Sequence, residues 1–301
     1  MVGGGLSGLA AARVLADAGR ELLVVEARDR VGGRTLNHSI GNGRVVEVGG
    51  EFVGPTQDRI LALAQAVGVK TFLVYNQGLD VEIIGGQRSL YPASTGVPSD
   101  PETQRFLLDL LAKIDPIAKQ VGTSAWRAAR ARELDDTTLA EFARPFVSFR
   151  VRPVFEAVNN SVWGVDSDQL SLLYVASYVA AAGDQHDPGS LFRLVSTAGG
   201  AHERRFVGGS QLVAQRVAER LGDRVLLGTP VTGLAVSGGG VRVHAAELVI
   251  DARRVIVAVP PPLALEPTGG LSQRRAKAAH RHAHGPLDQI GGRLSDAVLA
   301  G

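Results

Sequence analysis

Residues 3–8 read Gly-Gly-Gly-Leu-Ser-Gly, and residues 9–19 continue with small and aliphatic side chains to a closing glycine. Residues 21–26, Glu-Leu-Leu-Val-Val-Glu, have the apolar run of a buried parallel strand that ends on an acid. Glycines let a backbone approach a pyrophosphate closely, and a helix N-terminus supplies free N–H groups. The stretch predicts a dinucleotide-binding α/β fold in which Glu26 accepts hydrogen bonds from a ribose.

Only Met1 and Val2 precede these glycines, where the dinucleotide fold places a central strand of about five or six residues. Two hydrogen-bonded ladders and the rear wall of the cofactor crevice depend on that strand. We therefore expect a sheet that is short at its middle, either from a late start-codon assignment or from damage to the fold.

Two further segments are rich in glycine. Residues 26–35 (EARDRVGGRT) contain R-x-G-G-R, and residues 48–57 read VGGEFVGPTQ. With residues 203–210 (ERRFVGGS) and 222–225 (GDRV), they make the chain resemble the flavin-dependent monoamine oxidase family from residue 2 to about Pro267. The R-x-G-G-R element carries most of this resemblance, since enzymes that use NAD lack it.

The resemblance implies a non-covalent FAD. Its pyrophosphate would lie on the glycine loop, Glu26 would bind the ribose and Arg34 would face the phosphates. Without its glycine context, Arg34 would be interpreted as a solvated loop arginine. The residues implied for FAD are Gly3, Gly5, Leu6, Ser7, Gly8, Glu26, Ala27, Arg28, Gly33, Arg34, Gly49, Gly50, Glu51 and Val231.

The resemblance also implies a Rossmann-like FAD-binding domain of the GR2 type, with an inserted, mainly helical α+β substrate domain, both incomplete. The predicted FAD-binding parts are residues 1–75 and 201–267, and residues 76–200 form the substrate domain. Asn160, Ser161 and His202 correspond to positions that line the family's amine pocket. Each has an ordinary alternative: a turn cap, a locally bonded hydroxyl and a surface pair with Glu203, respectively. Trp126 and Trp163 are expected in the core.

Hydrophobic periodicity adds the remaining elements. It predicts helices at 56–68 and 211–221, a helical block at 99–182, strands at 69–74 and 79–84, a meander at 231–236, 241–244 and 247–251, and a buried strand at 254–259.

Beyond Pro267 we expect the likeness to end, because the family's flavin-facing lysine, G-T-E motif and paired aromatics have no counterpart there. Deleting one C from the codon of Pro267 lets residues 268–301 read as a family-like continuation, so we interpret this tail as frameshifted. Histidines 280, 282 and 284 have strand-like spacing, but no acid or cysteine cluster accompanies them, so we predict no metal site.

Composition excludes several classes. The 301 residues carry a net charge of +2 with acids and bases interleaved, which argues against a nucleic-acid face. Cysteine is absent, no apolar run reaches the roughly 18 residues of a membrane span, and no signal peptide is evident, so we expect a cytoplasmic protein without a membrane segment.

Two functions compete. By resemblance, hydride passes from the carbon next to a neutral primary amine to the flavin, and the products are an aldehyde, ammonia and, with oxygen, hydrogen peroxide. No catalytic residue is assigned. For the chain as given we favour a non-catalytic remnant of such an enzyme, because the central strand, the lysine and the aromatic pair are missing. A desaturase or a protoporphyrinogen oxidase fits the G-P-T-Q and E-R-x-F-V-G-G-S segments less well.

Overall fold

The computed structural model describes residues 1–84, 86–94, 96, 100–184, 186 and 189–264. The helices are α1 (Leu6–Asp17), α2 (Asp58–Ala66), α3 (Pro101–Val121), α4 (Ala131–Asp136), α5 (Leu139–Ala143), α6 (Arg152–Trp163), α7 (Leu172–Ala180), α8 (Leu191–Val195) and α9 (Gln211–Leu221). The strands are β1 (Val24–Val25), β2 (Asn37–Ser39), β3 (Val45–Glu47), β4 (Phe52–Val53), β5 (Thr71–Leu73), β6 (Leu79–Ile84), β7 (Gln87–Pro92), β8 (Arg204–Phe206), β9 (Val225–Leu226), β10 (Val231–Ser237), β11 (Gly240–Ala245) and β12 (Leu248–Ala252).

The chain divides into two compact units. Unit 1 contains Met1–Glu51, Arg59–Thr71 and the described chain from Phe206 onward, and unit 2 contains Phe52–Asp58 and Phe72–Arg205. The units change near the predicted domain boundaries at 75 and 200, although the segment 52–58 was not expected in the second unit. The frameshifted tail and its histidines lie outside the described residues.

The core of unit 1 is a parallel sheet with Val2 at its centre. β1 pairs with β9 through Val24 and Val25, and Val2 bridges both Val25 and Val257 in parallel. Val2 and β1 are buried. Helices α1 and α9 pack against each other and bury one face each.

Two predicted strands of this sheet are shorter than expected. The strand predicted at 21–26 is limited to β1, and the buried strand predicted at 254–259 is reduced to a single bridge at Val257. Ile256 is 45% exposed and Val257 37%, so the prediction of a buried strand is wrong. The physical reason is the short central strand, which offers these segments only Val2 and Met1 as partners.

The predicted meander is confirmed. β10, β11 and β12 form an antiparallel sheet in that order, and the first turn uses Gly238 and Gly239 at positive φ. The predicted strand at 79–84 is also present, as β6, and it pairs with β7 in a hairpin.

Unit 2 has a helical core, as expected for this block. α3 contributes an apolar stripe at helical spacing, including Phe106, Leu110 and Ile114, and α7 buries four positions against it. Trp163 packs against this core, as expected, but Trp126 is 75% exposed in a short 3₁₀ turn, so its predicted burial is wrong. None of the described helices combines the length and the apolar character needed to span a membrane.

Candidate cofactor and substrate sites

The glycine loop leads into α1, and its backbone atoms lie too close together to leave room for side chains at two of its glycines. A Cβ at Gly8 would lie 2.1 Å from the carbonyl oxygen of Gly3, and Gly3 itself has φ +102°. Glycine is therefore required at both positions. α1 then begins with Gly5 as its N-cap, without a side-chain cap and without an acid in its first turn. Its first N–H groups and the positive end of its dipole remain available for an anion.

Glu26 lies directly behind this loop. Its carboxylate accepts hydrogen bonds from the backbone N–H groups of Gly4 at 2.6 Å and Arg28 at 3.0 Å, and the residue is 8% exposed. A carboxylate has about four acceptor sites, so two remain for the hydroxyls of a ligand.

The R-x-G-G-R element lies beside the glycine loop. Gly32 donates its N–H to the carbonyl of Gly4 at 2.9 Å, and a Cβ at Gly33 would approach the Cα of Gly5 to 3.2 Å. Arg30, the first arginine of the element, donates to the carbonyls of Gly33 and Thr35. This arginine braces the loop, a role that the sequence did not indicate.

Arg34, the second arginine of the element, differs from Arg30. It is exposed, and its guanidinium makes no hydrogen bond or ion pair with any described residue. Its backbone carbonyl accepts from the N–H of Gly50 at 3.0 Å. The backbone is thus anchored while the charged group is free, which suits a phosphate ligand better than an internal structural role.

Gly49 and Gly50 lie next to this anchor. A Cβ at Gly49 would lie 2.3 Å from the carbonyl oxygen of Arg34, whereas Gly50 has open space around it. Ser210 donates its hydroxyl to the carbonyl of Gly50 at 2.6 Å. Glu51 follows directly and is half-buried.

Gln211 holds the loop between the glycines and β2. It donates to the carbonyl of Val31 at 2.8 Å and accepts from the N–H of Asn37 at 2.8 Å. Ser210 and Gln211 were not predicted, because their partners lie about 160 to 180 residues away in the chain. No local signal distinguishes them from other polar residues at the start of a helix.

Residues after β9 run beside Glu26 and Arg28. Thr229 donates its N–H to the carbonyl of Glu26, and Gly228 donates to that of Arg28, both at 2.8 Å. These bonds bring Val231, the first residue of β10, toward the same end of β1. The residues predicted for FAD thus gather in unit 1 at the carboxyl end of its parallel strands, where open α/β sheets bind ligands.

Unit 2 contains a separate cavity of about 800 Å³. Its walls are mainly aliphatic, and Ser161 and His202, two of the three residues that the resemblance assigns to an amine pocket, line it. The His202 ring packs edge-on against Phe52, with centroids 4.9 Å apart, and its Nδ1 lies 3.3 Å from the carbonyl oxygen of Val195.

Asn160 does not line this cavity, and its neighbour Asn159 does. The Asn160 amide donates to the Asp166 carboxylate at 2.7 Å. Asn160 therefore caps the local turn, which was the alternative to a role in the pocket. Asn160 lies on the side of α6 that carries Glu156, whose carbonyl also accepts from the Asn160 amide at 3.1 Å, and neither of these two residues lines the cavity.

Three buried polar atoms in this cavity wall have no partner among the described residues. They are Asn159 Nδ2, Trp163 Nε1 and Ser196 Oγ. Unsatisfied buried groups are uncommon in folded proteins. Burial and the nearby carboxylates of Asp80 and Glu82 raise the pKa of Tyr91, another lining residue, so its phenol keeps its proton to a higher pH than a free tyrosine does. An apolar cavity with a few polar groups is typical of a small-molecule site.

Comparisons with known proteins agree on one family. The model for flavin containing amine oxidoreductases matches residues 6–290. A Mycobacterium tuberculosis protein named as a flavin-containing monoamine oxidase is 38% identical over the whole chain, and the human flavin-containing amine oxidase B is 33% identical over 88% of it. Both the family match and the mycobacterial alignment continue past Pro267, so the likeness does not end there as predicted.

Solved structures give the same result for the mixed α/β fold. Putrescine oxidase with bound putrescine matches 93% of this chain with a TM-score of 0.81 and 33% identity. Cyclohexylamine oxidase from Brevibacterium oxydans matches 93% with a TM-score of 0.83 and 31% identity. The chain spans 62% of these two structures, 64% of the mycobacterial relative and 51% of the human one.

Proposed function

Because the chain belongs to the flavin-containing amine oxidoreductase family, we propose that its parent activity is FAD-dependent oxidation of a primary amine to an aldehyde, ammonia and hydrogen peroxide. The main support for this proposal is that three groups lie together in unit 1. They are the uncapped N-terminus of α1, the buried carboxylate of Glu26 with its remaining acceptor sites, and Arg34, whose guanidinium has no partner among the described residues. Putrescine and cyclohexylamine oxidases among its relatives support a small amine as the substrate.

The residues of unit 1 fit the three polar parts of the cofactor. The first N–H groups of α1 would hold the pyrophosphate, Glu26 would accept from the ribose hydroxyls, and Arg34 would neutralise phosphate charge. Bound in this way, FAD would supply a two-electron acceptor for the amine carbon, with oxygen as the final oxidant.

The cavity of unit 2 would hold the amine. Its aliphatic walls exclude water from the carbon chain, and an apolar environment favours the neutral amine over the ammonium ion. The unpartnered groups of Asn159, Trp163 and Ser196 would then orient polar atoms of the bound molecule.

A second candidate is a chain that is not catalytic by itself. The parallel sheet of unit 1 ends in exposed apolar residues, such as Ile256 and Val257, and no described residue is assigned a catalytic role. On this proposal the chain retains the cofactor-facing loop but binds FAD weakly and oxidises no amine.

One experiment separates the two. The purified chain is titrated with FAD, and its flavin absorbance is followed during anaerobic addition of putrescine, cyclohexylamine or benzylamine. The oxidase proposal predicts stoichiometric yellow protein that bleaches with one of these amines. Yellow protein that never bleaches, or no binding, supports the second candidate.

A matched pair of variants tests the site itself. Arg34→Gln removes the free cation and should weaken FAD binding by roughly ten-fold or more, as expected for the loss of one charge-assisted hydrogen bond to phosphate. Arg220→Gln removes an exposed arginine from the last turn of α9 and should leave FAD binding unchanged. Equal affinities would show that Arg34 does not contact the cofactor.

A further inference from the structure

The three unpartnered polar atoms in the cavity wall of unit 2 share one chemical property. The indole Nε1 of Trp163 and the amide Nδ2 of Asn159 can only donate a hydrogen bond, and the hydroxyl of Ser196 can donate one as well. Trp163 is the most informative of the three, because an indole ring has no acceptor atom. The part of the wall that the structure describes therefore lacks an acceptor for these donors.

The donors belong to two helices of unit 2. Asn159 and Trp163 lie about one turn apart on α6, and Ser196 is the residue that caps the end of α8. Asn159 is 2% exposed, and the Trp163 ring packs edge-on against Tyr178, with centroids 6.0 Å apart. The donor atoms are thus shielded from bulk water, and a molecule inside the cavity is needed to pair with them.

The size of the cavity and the cost of a bare donor both favour a bound acceptor. A buried donor without a partner has lost the hydrogen bond that it makes to water in the unfolded chain. The polar groups of Glu82, Tyr91 and His202 also belong to the wall, but they make no hydrogen bond to the three donors. The cavity volume of about 800 Å³ is typical of a small-molecule site.

The charge of the wall decides which acceptor fits. Glu82 contributes a half-buried carboxylate, whose Oε2 accepts from the hydroxyl of Ser89 at 3.1 Å. Among the residues that the structure describes, no lysine or arginine lines the cavity. A ligand carboxylate would be repelled by Glu82 and would gain no cation, and a ligand ammonium has only donors. A neutral oxygen, such as the carbonyl of an amide, avoids both problems.

We propose that the substrate amine carries a neutral carbonyl oxygen, which accepts a hydrogen bond from Trp163 Nε1 in the cavity of unit 2. A carbonyl oxygen has two lone pairs, so it can also accept from Asn159, one turn away on the same helix. This inference rests on the proposed function for the amine end of the molecule, and it adds the residues that select the other end. A simple alkylamine or diamine leaves these donors bare and binds less tightly.

Three amines of similar length test this proposal on the full chain without FAD. N-acetylethylenediamine carries the carbonyl, isohexylamine has a methyl group in its place, and γ-aminobutyrate has a carboxylate there. Calorimetry should show that N-acetylethylenediamine binds about tenfold more tightly than either of the others, because it alone pairs the buried donors. It alone should also shift the Nε1–H proton signal of Trp163 downfield in a proton–nitrogen correlation spectrum. Trp126, which is 75% exposed and outside the cavity, should keep its signal.

A matched pair of variants assigns the preference to one side chain. Trp163→Phe keeps an aromatic ring but removes the N–H, so it should lose most of the tenfold preference for the carbonyl. Trp126→Phe should keep the preference, and the signal that disappears from its spectrum identifies Trp126. If Trp163→Phe does not fold, the shift of the Trp163 signal in the original chain decides.

Equal affinities for N-acetylethylenediamine and isohexylamine would overturn the proposal, as would an unshifted Trp163 signal or no binding at millimolar N-acetylethylenediamine. The oxidase proposal fails separately. A chain that binds N-acetylethylenediamine but never bleaches contradicts the oxidase proposal alone. A chain that bleaches with amines but shows no preference for the carbonyl contradicts this inference alone.

Discussion

We predict that Gln211→Leu destabilises unit 1 far more than the same change four residues later, at Gln215. Gln211 is 4% exposed and bonds both Val31 and Asn37. Gln215 lies on the same helix, and its side chain makes no hydrogen bond with the residues that the structure describes. The two substitutions are chemically identical, so their difference reports the two hydrogen bonds together with the deeper burial of position 211.

The magnitude follows from the groups left behind. The carbonyl of Val31 is buried, and removing its 2.8 Å donor leaves it only the long contact from Arg30 Nη1 at 3.5 Å, which costs about 1–3 kcal/mol. The half-buried N–H of Asn37 can recover a water, so its loss costs about 1 kcal/mol. We expect Gln211→Leu to lower the free energy of unfolding by about 2–4 kcal/mol and Gln215→Leu by about 0.5 kcal/mol or less.

Urea unfolding followed by far-UV circular dichroism measures this difference. Tryptophan fluorescence is unsuitable, because Trp126 and Trp163 both belong to unit 2. Exchange of the Asn37 amide gives a local readout and should accelerate only in the Gln211 variant. Equal unfolding midpoints and equal Asn37 exchange in the two variants would refute the bracing role.

Three further predictions concern other parts of the chain. Gly8→Ala places a Cβ against a backbone carbonyl and should destabilise unit 1 by about 1–3 kcal/mol in urea unfolding, whereas Gly50→Ala, which has open space, should not; equal losses would contradict the contact argument. Because burial lowers the pKa of the Met1 ammonium, the folded state binds this proton less tightly than the unfolded state. Stability should therefore be complete above the ordinary pKa of about 8 and fall as the pH drops through the lowered value, and N-terminal acetylation should remove this dependence, measured by unfolding at pH 6 and pH 9. Asn159→Leu removes a buried unpartnered amide and should raise the stability of unit 2 by about 1–3 kcal/mol, measured by tryptophan fluorescence; a loss of stability would show that the amide is satisfied in solution.

The predictions that depend on short-range sequence patterns were the accurate ones. The helix at α9, the strand at β6 and the meander are present where apolar spacing and glycine turns place them. Each depends on residues within about a dozen positions of one another, so the pattern contains its own partner. The prediction of a buried strand at 254–259 was wrong because it depends on a distant partner. The burial of this segment depends on the length of the strand formed near Met1.

In the candidate sites too, the features that depend on local sequence spacing were predictable, and those that depend on distant contacts were not. Glycine spacing indicated the loop at residues 3–8 and its neighbour, because only glycine allows such close backbone approach. The sequence could not indicate that Arg30 braces a loop while Arg34 is free, since both are arginines of one short motif. Only the direction of each side chain in the folded chain separates these two roles.

The sequence by itself determined the family, the glycine loop and the order of the main elements, since these follow from residue types at fixed local spacing. Tertiary structure alone decided that Gln211 holds a loop 174 residues away and that Asn159 rather than Asn160 lines the cavity. The physical reason is that hydrogen-bond satisfaction and burial depend on which distant segments meet, and local sequence spacing does not contain that information.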